Sequence, residues 1–392
     1  MLLDLSHTSH TRALTGIQRV ARGLWRELGA AAAPITYDPY ARAWRPLEAW
    51  ELVNLSAAPD GGGRGARWPL RACLRGLLRR HQVEQIAGRD GLLIPEIFSP
   101  AVAAALPALF AAVPGPRAAL FYDAVALKLP EMTPPKIVAR YPGYLRELLA
   151  FDGVAAISAD ARDALIDYWR WLEVDRHPPV VAIPLGLSPR GHVEFSALAR
   201  RPSTKLDVTP SLPVVLSVGS LEGRKNHLAL LEACEALWAA GERFELRLIG
   251  AARPETGGAA LRRIAALQGA GRPLVYAGVV ADAALEAAYA ACAFTVYPSL
   301  MEGFGLPVSE SLARGRPCVC SGRGALGESA RGGGCLAQDA VDSPSLAAAI
   351  RHLLTDAPAL ERLGAEARAR KFKTAADYAR EVSDWMAGLA KK

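Results

Sequence analysis

The sequence predicts an α/β protein of two doubly wound domains, each a parallel sheet with helices on its faces. Three observations carry that expectation. At 392 residues the chain is longer than a single core ordinarily organises. Short apolar runs alternate with amphipathic helical stretches along nearly its whole length. The alternation breaks between Pro184 and Pro213, where Gly, Pro, Ser, Thr and Arg replace any apolar period, and then restarts. These features place an N-terminal domain over 1–200, a C-terminal domain over 201–374 and a closing helix over 375–392.

In the first half the apolar runs 2–5, 91–95, 117–122, 153–158 and 179–184 read as strands, with a helix from 16 to 28 after the first. In the second half strand 213–218 precedes helix 226–240, and strand 244–249 precedes helix 258–268. Strand 274–277 leads to helix 283–291, strand 293–297 to helix 307–314, and strand 317–321 follows. The closing helix spaces Tyr378, Val382, Trp385 and Leu389 by four, three and four. One face is therefore apolar, suited to capping the second domain or to crossing back onto the first.

Composition narrows the class. Hydrophobic residues make up 51% and charged residues 22%, as in soluble globular proteins. The six cysteines lack the paired spacing of a disulfide framework or zinc site, which fits a reducing cytoplasm. Strand alternation puts Cys318 and Cys320 on one buried face. The N-terminus has no basic segment followed by a long apolar one, so no signal peptide is expected. The longest apolar stretch, 101–113, contains Pro107 and falls short of the roughly 20 residues a membrane span needs. Up to Lys205 there are 25 Lys and Arg against 19 Asp and Glu; beyond it, 21 against 20. The basic bias of the first half points to an anionic partner there, such as a membrane surface at its inner face, a phosphorylated acceptor or nucleic acid.

Two segments carry chemistry. In Tyr297-Pro-Ser-Leu-Met-Glu-Gly-Phe-Gly-Leu-Pro-Val-Ser-Glu310 a buried strand ends in a Gly-rich turn, and Pro307 opens a helix. Backbone amides at such a helix start form an anion site at the carboxyl ends of the strands. Glu302 and Glu310 flank it and are expected to accept hydrogen bonds from sugar or ribose hydroxyls, since two acids would repel a phosphate. In Val218-Gly-Ser-Leu-Glu-Gly-Arg-Lys-Asn-His227, Arg224 and Lys225 stand just before a helix that Asn226 is expected to cap. Two cations there oppose the helix dipole, and a diphosphate compensates them.

Together with Thr15-Gly-Ile-Gln-Arg-Val20, and more weakly 156–158, 183–186 and 276–282, these segments resemble the retaining group 1 (family 4) glycosyltransferases. That family has the two-domain GT-B fold and includes sucrose synthase and many bacterial mannosyl- and rhamnosyltransferases. The resemblance implies a nucleoside-diphosphate-sugar donor in a cleft between two Rossmann-like domains, transfer with retention, and neither metal nor other cofactor. It implies that Arg224 and Lys225 bind the diphosphate and stabilise the leaving group, with Gly219 in the same loop. Glu302, the turn Gly303, Phe304 and Gly305, and Leu306 contact sugar and phosphate, while Glu310 holds the ribose. Gly278 frames the base, and Gly16 approaches the diphosphate from the first domain. Many relatives carry His-Asp where this chain has Tyr122-Asp123. Tyr122 then stands as a hydrogen-bonding substitute and Asp123 as a contact to sugar or acceptor. Some relatives also carry an Arg where Ser220 stands.

The implied activity is hexosyl transfer, of mannose or rhamnose type, to a glycan or lipid-linked acceptor in surface polysaccharide assembly. A nucleotide-sugar isomerase or hydrolase and a non-catalytic partner subunit are the alternatives. Gly322-Arg-Gly-Ala-Leu-Gly327 matches a dinucleotide fingerprint, but Gly332-Gly-Gly334 follows where a long helix is required. His7 and His10 lack a neighbouring acid or thiol cluster and read as a polar loop rather than a metal pair. No aromatic-basic nucleic-acid module is present. Finally, Arg67, Arg71, Arg75 and Arg79 recur every four residues with Leu70, Leu74, Leu77 and Leu78 between them. This is the pattern of an interfacial helix facing anionic lipid or a lipid-diphosphate acceptor, or of a surface helix packing its leucines on the sheet.

Overall fold

The structure, a computed structural model, describes residues 1–13, 15–56, 67–78, 90–187 and 212–390. The expected boundary at 200, most of the linker before it, and Arg79 lie outside the described residues. The chain forms two compact units, one of residues 1–123, 140–188 and 373–392, the other of 124–139 and 189–372.

The first unit holds strands β1 (Leu2–Asp4), β2 (Ala33–Asp38), β3 (Ala43–Pro46), β4 (Leu92–Ile94), β5 (Arg117–Phe121), β6 (Gly153–Ala156) and β7 (Val180–Ala182). Their order is β3-β2-β1-β4-β5-β6-β7, parallel except for the antiparallel β2–β3 pair. Strands β1, β4 and β6 are buried throughout, which is why they read as unbroken apolar runs. The β2–β3 edge was not expected from the sequence. It mixes Pro, Thr, Tyr, Asp and Arg, and an edge tolerates the Pro46 that ends β3.

The second unit holds β8 (Val214–Val218), β9 (Glu245–Ile249), β10 (Leu274–Tyr276), β11 (Phe294–Tyr297), β12 (Cys318–Ser321) and β13 (Cys335–Gln338). All are parallel, in the order β10-β9-β8-β11-β12-β13. Cys318 and Cys320 share one buried cluster with Tyr297, Val308, Leu312 and Leu326. Strand β13 follows three glycines with positive φ, Gly332 to Gly334, and was not expected from the sequence. From β8 the chain winds outward to β9 and β10; from β11 it winds the other way. The carboxyl ends of β8 and β11 therefore flank a topological switch point, where open α/β sheets bind ligands.

The closing helix, Ala375–Ala387, belongs to the first unit and packs against helix Gly16–Leu28. Tyr378, Ala379, Val382 and Met386 are its buried residues, and a Thr374–Asp377 capping box starts it. Trp385 and Leu389 press on Gly153, where a Cβ would stand 2.9 and 2.8 Å from them. The segment is tied in by Leu187 N donating to Lys373 O at 2.8 Å and Ala375 N to Leu187 O at 3.0 Å. At Gly186 a Cβ would lie 2.0 Å from Thr374 O. Gly186→Ala is therefore expected to push this segment away and cost about 1–3 kcal/mol as an overpacking change. Hydrogen exchange at the amides of 375–387 should accelerate; unchanged exchange would show that the tie does not hold the helix.

Candidate functional site

The loop after β8 begins at Gly219, whose N–H reaches Ile249 O at 2.9 Å. It ends in a 3₁₀ turn, Gly223–Lys225. Asn226 follows with φ 56°, the left-handed conformation that Asn tolerates. The expected side-chain cap is not formed: Asn226 Nδ2 donates to Val341 O at 2.7 Å, and the helix starts at His227. The loop after β11 is stitched to this turn through one carbonyl. Arg224 O accepts from Leu300 N at 2.9 Å and from Ser299 Oγ at 3.2 Å.

Glu302 sits where the two loops meet. Its Oε2 lies 2.8 Å from Arg224 Nη1. Its Oε1 lies 2.5 Å from Lys225 Nζ and accepts from Ser299 Oγ at 2.6 Å and Tyr297 Oη at 2.8 Å. The Tyr297 hydroxyl also accepts a hydrogen bond from Lys225 Nζ. Glu222 completes the group, 3.4 Å from Arg224 Nε, and accepts from Ser220 Oγ at 2.8 Å. Two cations thus face two carboxylates. Burial alone would raise the Glu302 carboxyl, but Lys225 and Arg224 outweigh it and hold it at about 2. Burial pulls Lys225 below its ordinary value, with Arg224 adding to the effect against Glu302. For Arg224 burial also acts downward, yet Glu302 and Glu222 prevail and raise it. Its side chain stays 23% exposed against 9% for Lys225, so the guanidinium is the cation a solvent-borne anion meets first.

The glycine turn leads into helix Leu306–Ala313, with Pro307 at its second position. Gly305 has φ 94° and lies against Leu326, whose Cδ2 a Cβ would approach to 2.8 Å, so only glycine fits. The Gly305 carbonyl takes Val308 N at 3.0 Å, and Phe304 O accepts from Ser329 Oγ at 2.6 Å. The amides of Gly303, Phe304 and Gly305 donate to no acceptor among the described residues. Glu310 lies half-buried one turn into the helix. Gly278, with φ 64°, accepts from Gly250 N at 2.8 Å. Gly250 packs so closely on Gly219 that a Cβ there would stand 2.0 Å from Gly219 O. Gly219, Arg224, Lys225, Gly278 and the turn from Glu302 to Leu306 thus all stand at the carboxyl edge of one sheet.

In the first unit Gly16 opens helix Gly16–Leu28, with open space where its Cβ would be. Tyr122 is not presented as a free hydroxyl. It is buried, its Oη donates to Pro95 O at 2.5 Å, and burial holds it protonated well above its ordinary value. Its task is to tie the end of β5 to the end of β4. Asp123 is half-buried, and its carbonyl accepts from the Tyr141 hydroxyl. His10 is no polar loop residue either. It is buried, with Nε2 2.7 Å from Glu51 Oε1 and its ring stacked 4.0 Å from Trp68. Glu51 also takes Arg45 through both oxygens, at 2.7 and 2.8 Å. Among the described residues no group of three or more His, Cys, Asp or Glu is placed to hold a metal.

Sequence reasoning missed Glu222, Tyr297 and Ser299, and also Asp4 with Glu96 in the first unit. Asp4, buried at the end of β1, is pushed up to about 7 by burial and then by Glu96, against hydrogen bonds from Ser6. Glu96 accepts the amides of His7 and Thr8, each at 2.9 Å.

Residues 212–356 match the family described as Glycosyl transferases group 1. Among solved structures, Anabaena Alr3699/HepE in complex with UDP and glucose superposes with a TM-score of 0.69 at 16% identity, over 99% of each chain. Sucrose-phosphate synthase from Thermosynechococcus elongatus does so with a TM-score of 0.65 at 19% identity, over 98% of this chain and 97% of that one. The chain has the GT-B fold and carries a group 1 glycosyltransferase domain. Among curated relatives, the serotype-specific mannosyltransferase WbdA of Escherichia coli is 26% identical over 331 residues, 81% of this chain. The match spans 38% of that relative's length. The O-antigen chain mannosyltransferase B of Escherichia coli is 35% identical over 142 residues, 36% of each chain.

Two outcomes are expected. Unfolded, Asp4 gives up its proton near 4; folded, it keeps it to about 7, so over that interval the folded state binds more protons and stability falls as pH rises through 7. Asp4→Asn keeps the acceptor and should flatten the melting temperature between about pH 4 and 7; an equal fall in the variant would remove Asp4 as its source. Glu302→Gln leaves the buried Lys225 and the partly exposed Arg224 with their main partner gone, at about 3–5 kcal/mol. The urea midpoint should drop accordingly, and a midpoint equal to that of the parent would show that Glu302 does not neutralise them.

Proposed function

We propose that the chain is a metal-independent, retaining glycosyltransferase. It moves a hexose of the mannose type from a nucleoside-diphosphate sugar to a glycan or lipid-linked acceptor in surface polysaccharide assembly. The observation that carries this reading is the pair Arg224 and Lys225 set beside the unclaimed amides of Gly303 to Gly305, at the switch point of the second sheet. Glycosyl transfer passes through an oxocarbenium-like state while negative charge grows on the departing diphosphate. Donors fixed in advance around that charge lower the barrier without reorganising.

Arg224 grips the diphosphate with its exposed guanidinium, and Lys225 contributes a point charge from below. Glu302, already locked by Tyr297 and Ser299, keeps both cations in place and offers its remaining lone pairs to sugar hydroxyls. Glu310 holds the ribose, and Gly219 and Gly278 let donor atoms approach the backbone. The mannose preference and the polysaccharide setting rest on the names of the relatives above, and retention on the family resemblance. Asp123 touches sugar or acceptor, while Tyr122 holds the sheet edge on which Asp123 stands. We assign acceptor recognition to the first unit.

The test is thermal stability with UDP, GDP, dTDP and ADP, each with EDTA and with magnesium. A ligand at about 100 times its Kd stabilises by roughly 2.7 kcal/mol. One diphosphate should shift the melt equally in EDTA, and Arg224→Ala and Lys225→Ala should each lower transfer from the matching GDP- or other nucleotide-mannose by about 10²–10³-fold. Silence from every nucleotide and donor sugar would overturn the enzyme reading in favour of a non-catalytic partner subunit. Product formed without an acceptor would favour hydrolysis or isomerisation.

A further inference from the structure

Helix Leu70–Leu78 lies in the first unit with its face reversed from that of an ordinary surface helix. At 100° per residue, Ala72 and Gly76 share one side, and Leu70, Leu74, Leu77 and Leu78 the opposite one. The small side is the buried one. A Cβ at Gly76 would stand 2.8 Å from Tyr40 Cβ and 3.0 Å from Asp38 Oδ1, so the backbone itself rests on the β2–β3 turn. The leucines face outward, Leu70 74%, Leu74 54%, Leu77 52% and Leu78 85% exposed. The expectation of leucines packed on the sheet is therefore not met.

The helix is not free to roll them inward. Its approach is pinned by Trp68, stacked on His10 and edge-on to Tyr40 and Trp50. Arg67 N donates to His10 O at 2.8 Å. His10 in turn is held by Glu51, and Glu51 by Arg45, which also reaches Asp38 at 3.0 Å. Asp38, with Tyr40, is what Gly76 rests against, so one buried network fixes the helix near both ends. Arg71 and Arg75 border the leucine face, Arg75 also meeting Glu48, and no acid occurs between Leu70 and Leu78.

We propose that this helix is a membrane-docking element that lays its four leucines into the interfacial zone of an anionic phospholipid bilayer, with Arg71 and Arg75 at the headgroups. Nine residues span about 13 Å, enough to lie in the interface and far too little to cross. The charge is complementary to anionic lipid, and apart from cationic arginines and the partly buried Cys73 the exposed face carries only aliphatic side chains. That suits a fluid hydrocarbon boundary better than a protein partner, whose recognition draws on hydrogen bonds and aromatic anchors. The docking does not depend on the donor site and stands or falls separately from the proposed activity.

The experiment is co-sedimentation of the full chain with vesicles of phosphatidylcholine alone and of phosphatidylcholine containing one third phosphatidylglycerol. The parent protein should bind the anionic vesicles, less so at high salt. Leu74→Gln with Leu78→Gln should weaken binding at least tenfold, and Arg71→Glu at least fivefold, the scale of one basic residue near such a surface. These side chains are exposed, so the variants should keep the parent melting temperature and nucleotide response. Equal binding by parent and variants, or no binding by the parent, would overturn the proposal. So would a concentration-dependent dimer in sedimentation velocity that the leucine variants abolish, since the face would then belong to a second copy of the chain.

Discussion

The site of the second unit depends on one carboxylate. Lys225 is almost wholly buried, and a buried ammonium without a partner is a liability of several kcal/mol. Glu302 removes that liability, shares itself with Arg224, and is held by two hydroxyls, Tyr297 and Ser299, supplied by the end of β11. The same contacts fasten the loop after β11 to the loop after β8. Fold and site are thus the same fact seen twice: the strand order brings these two loops side by side, and Glu302 fixes them there. A cluster fixed in this way needs little rearrangement when charge develops beside it.

The first unit solves the burial of charge differently. His10, Glu51, Arg45 and Asp38 form a linked chain at the β2–β3 edge, and Glu96 takes two amides of the loop after β1. These groups tie the loop after β1 to β2, β3 and the helix that follows them.

Much of this was legible in the sequence because parallel strands buried on both faces appear as plain apolar runs, and because glycine turns and cation pairs break local rules visibly. Gly303 to Gly305 with Pro307 announce a helix start, and Arg224 with Lys225 announce charge in need of an anion. What stayed hidden was set by distant partners. Glu51 stands 41 residues from His10, and nothing local shows that they meet. Asn226 has the residue type of a cap, but the carbonyl of Val341 claims its side chain 115 residues away. Tyr297 reads as the last apolar residue of a strand, and only the fold shows its hydroxyl inside an ion pair. The leucine spacing of helix Leu70–Leu78 suggests an inward face, whereas close approach of Gly76 to Tyr40 decides which side is buried.

The return of the chain to its starting unit has a bearing on how the molecule is made. A ribosome delivers the seven strands of the first sheet by residue 182, yet the helix that covers Gly153 and packs on helix Gly16–Leu28 is encoded after the whole second sheet. At a synthesis rate of about 5–20 residues per second, Gly153 and helix Gly16–Leu28 wait on the order of ten seconds or more for the helix that packs on them. The second unit, by contrast, has received the helices that cover its own sheet, through Ala369, before the closing helix is made. Vectorial synthesis therefore reverses the order suggested by position in the chain: the half that begins first finishes last.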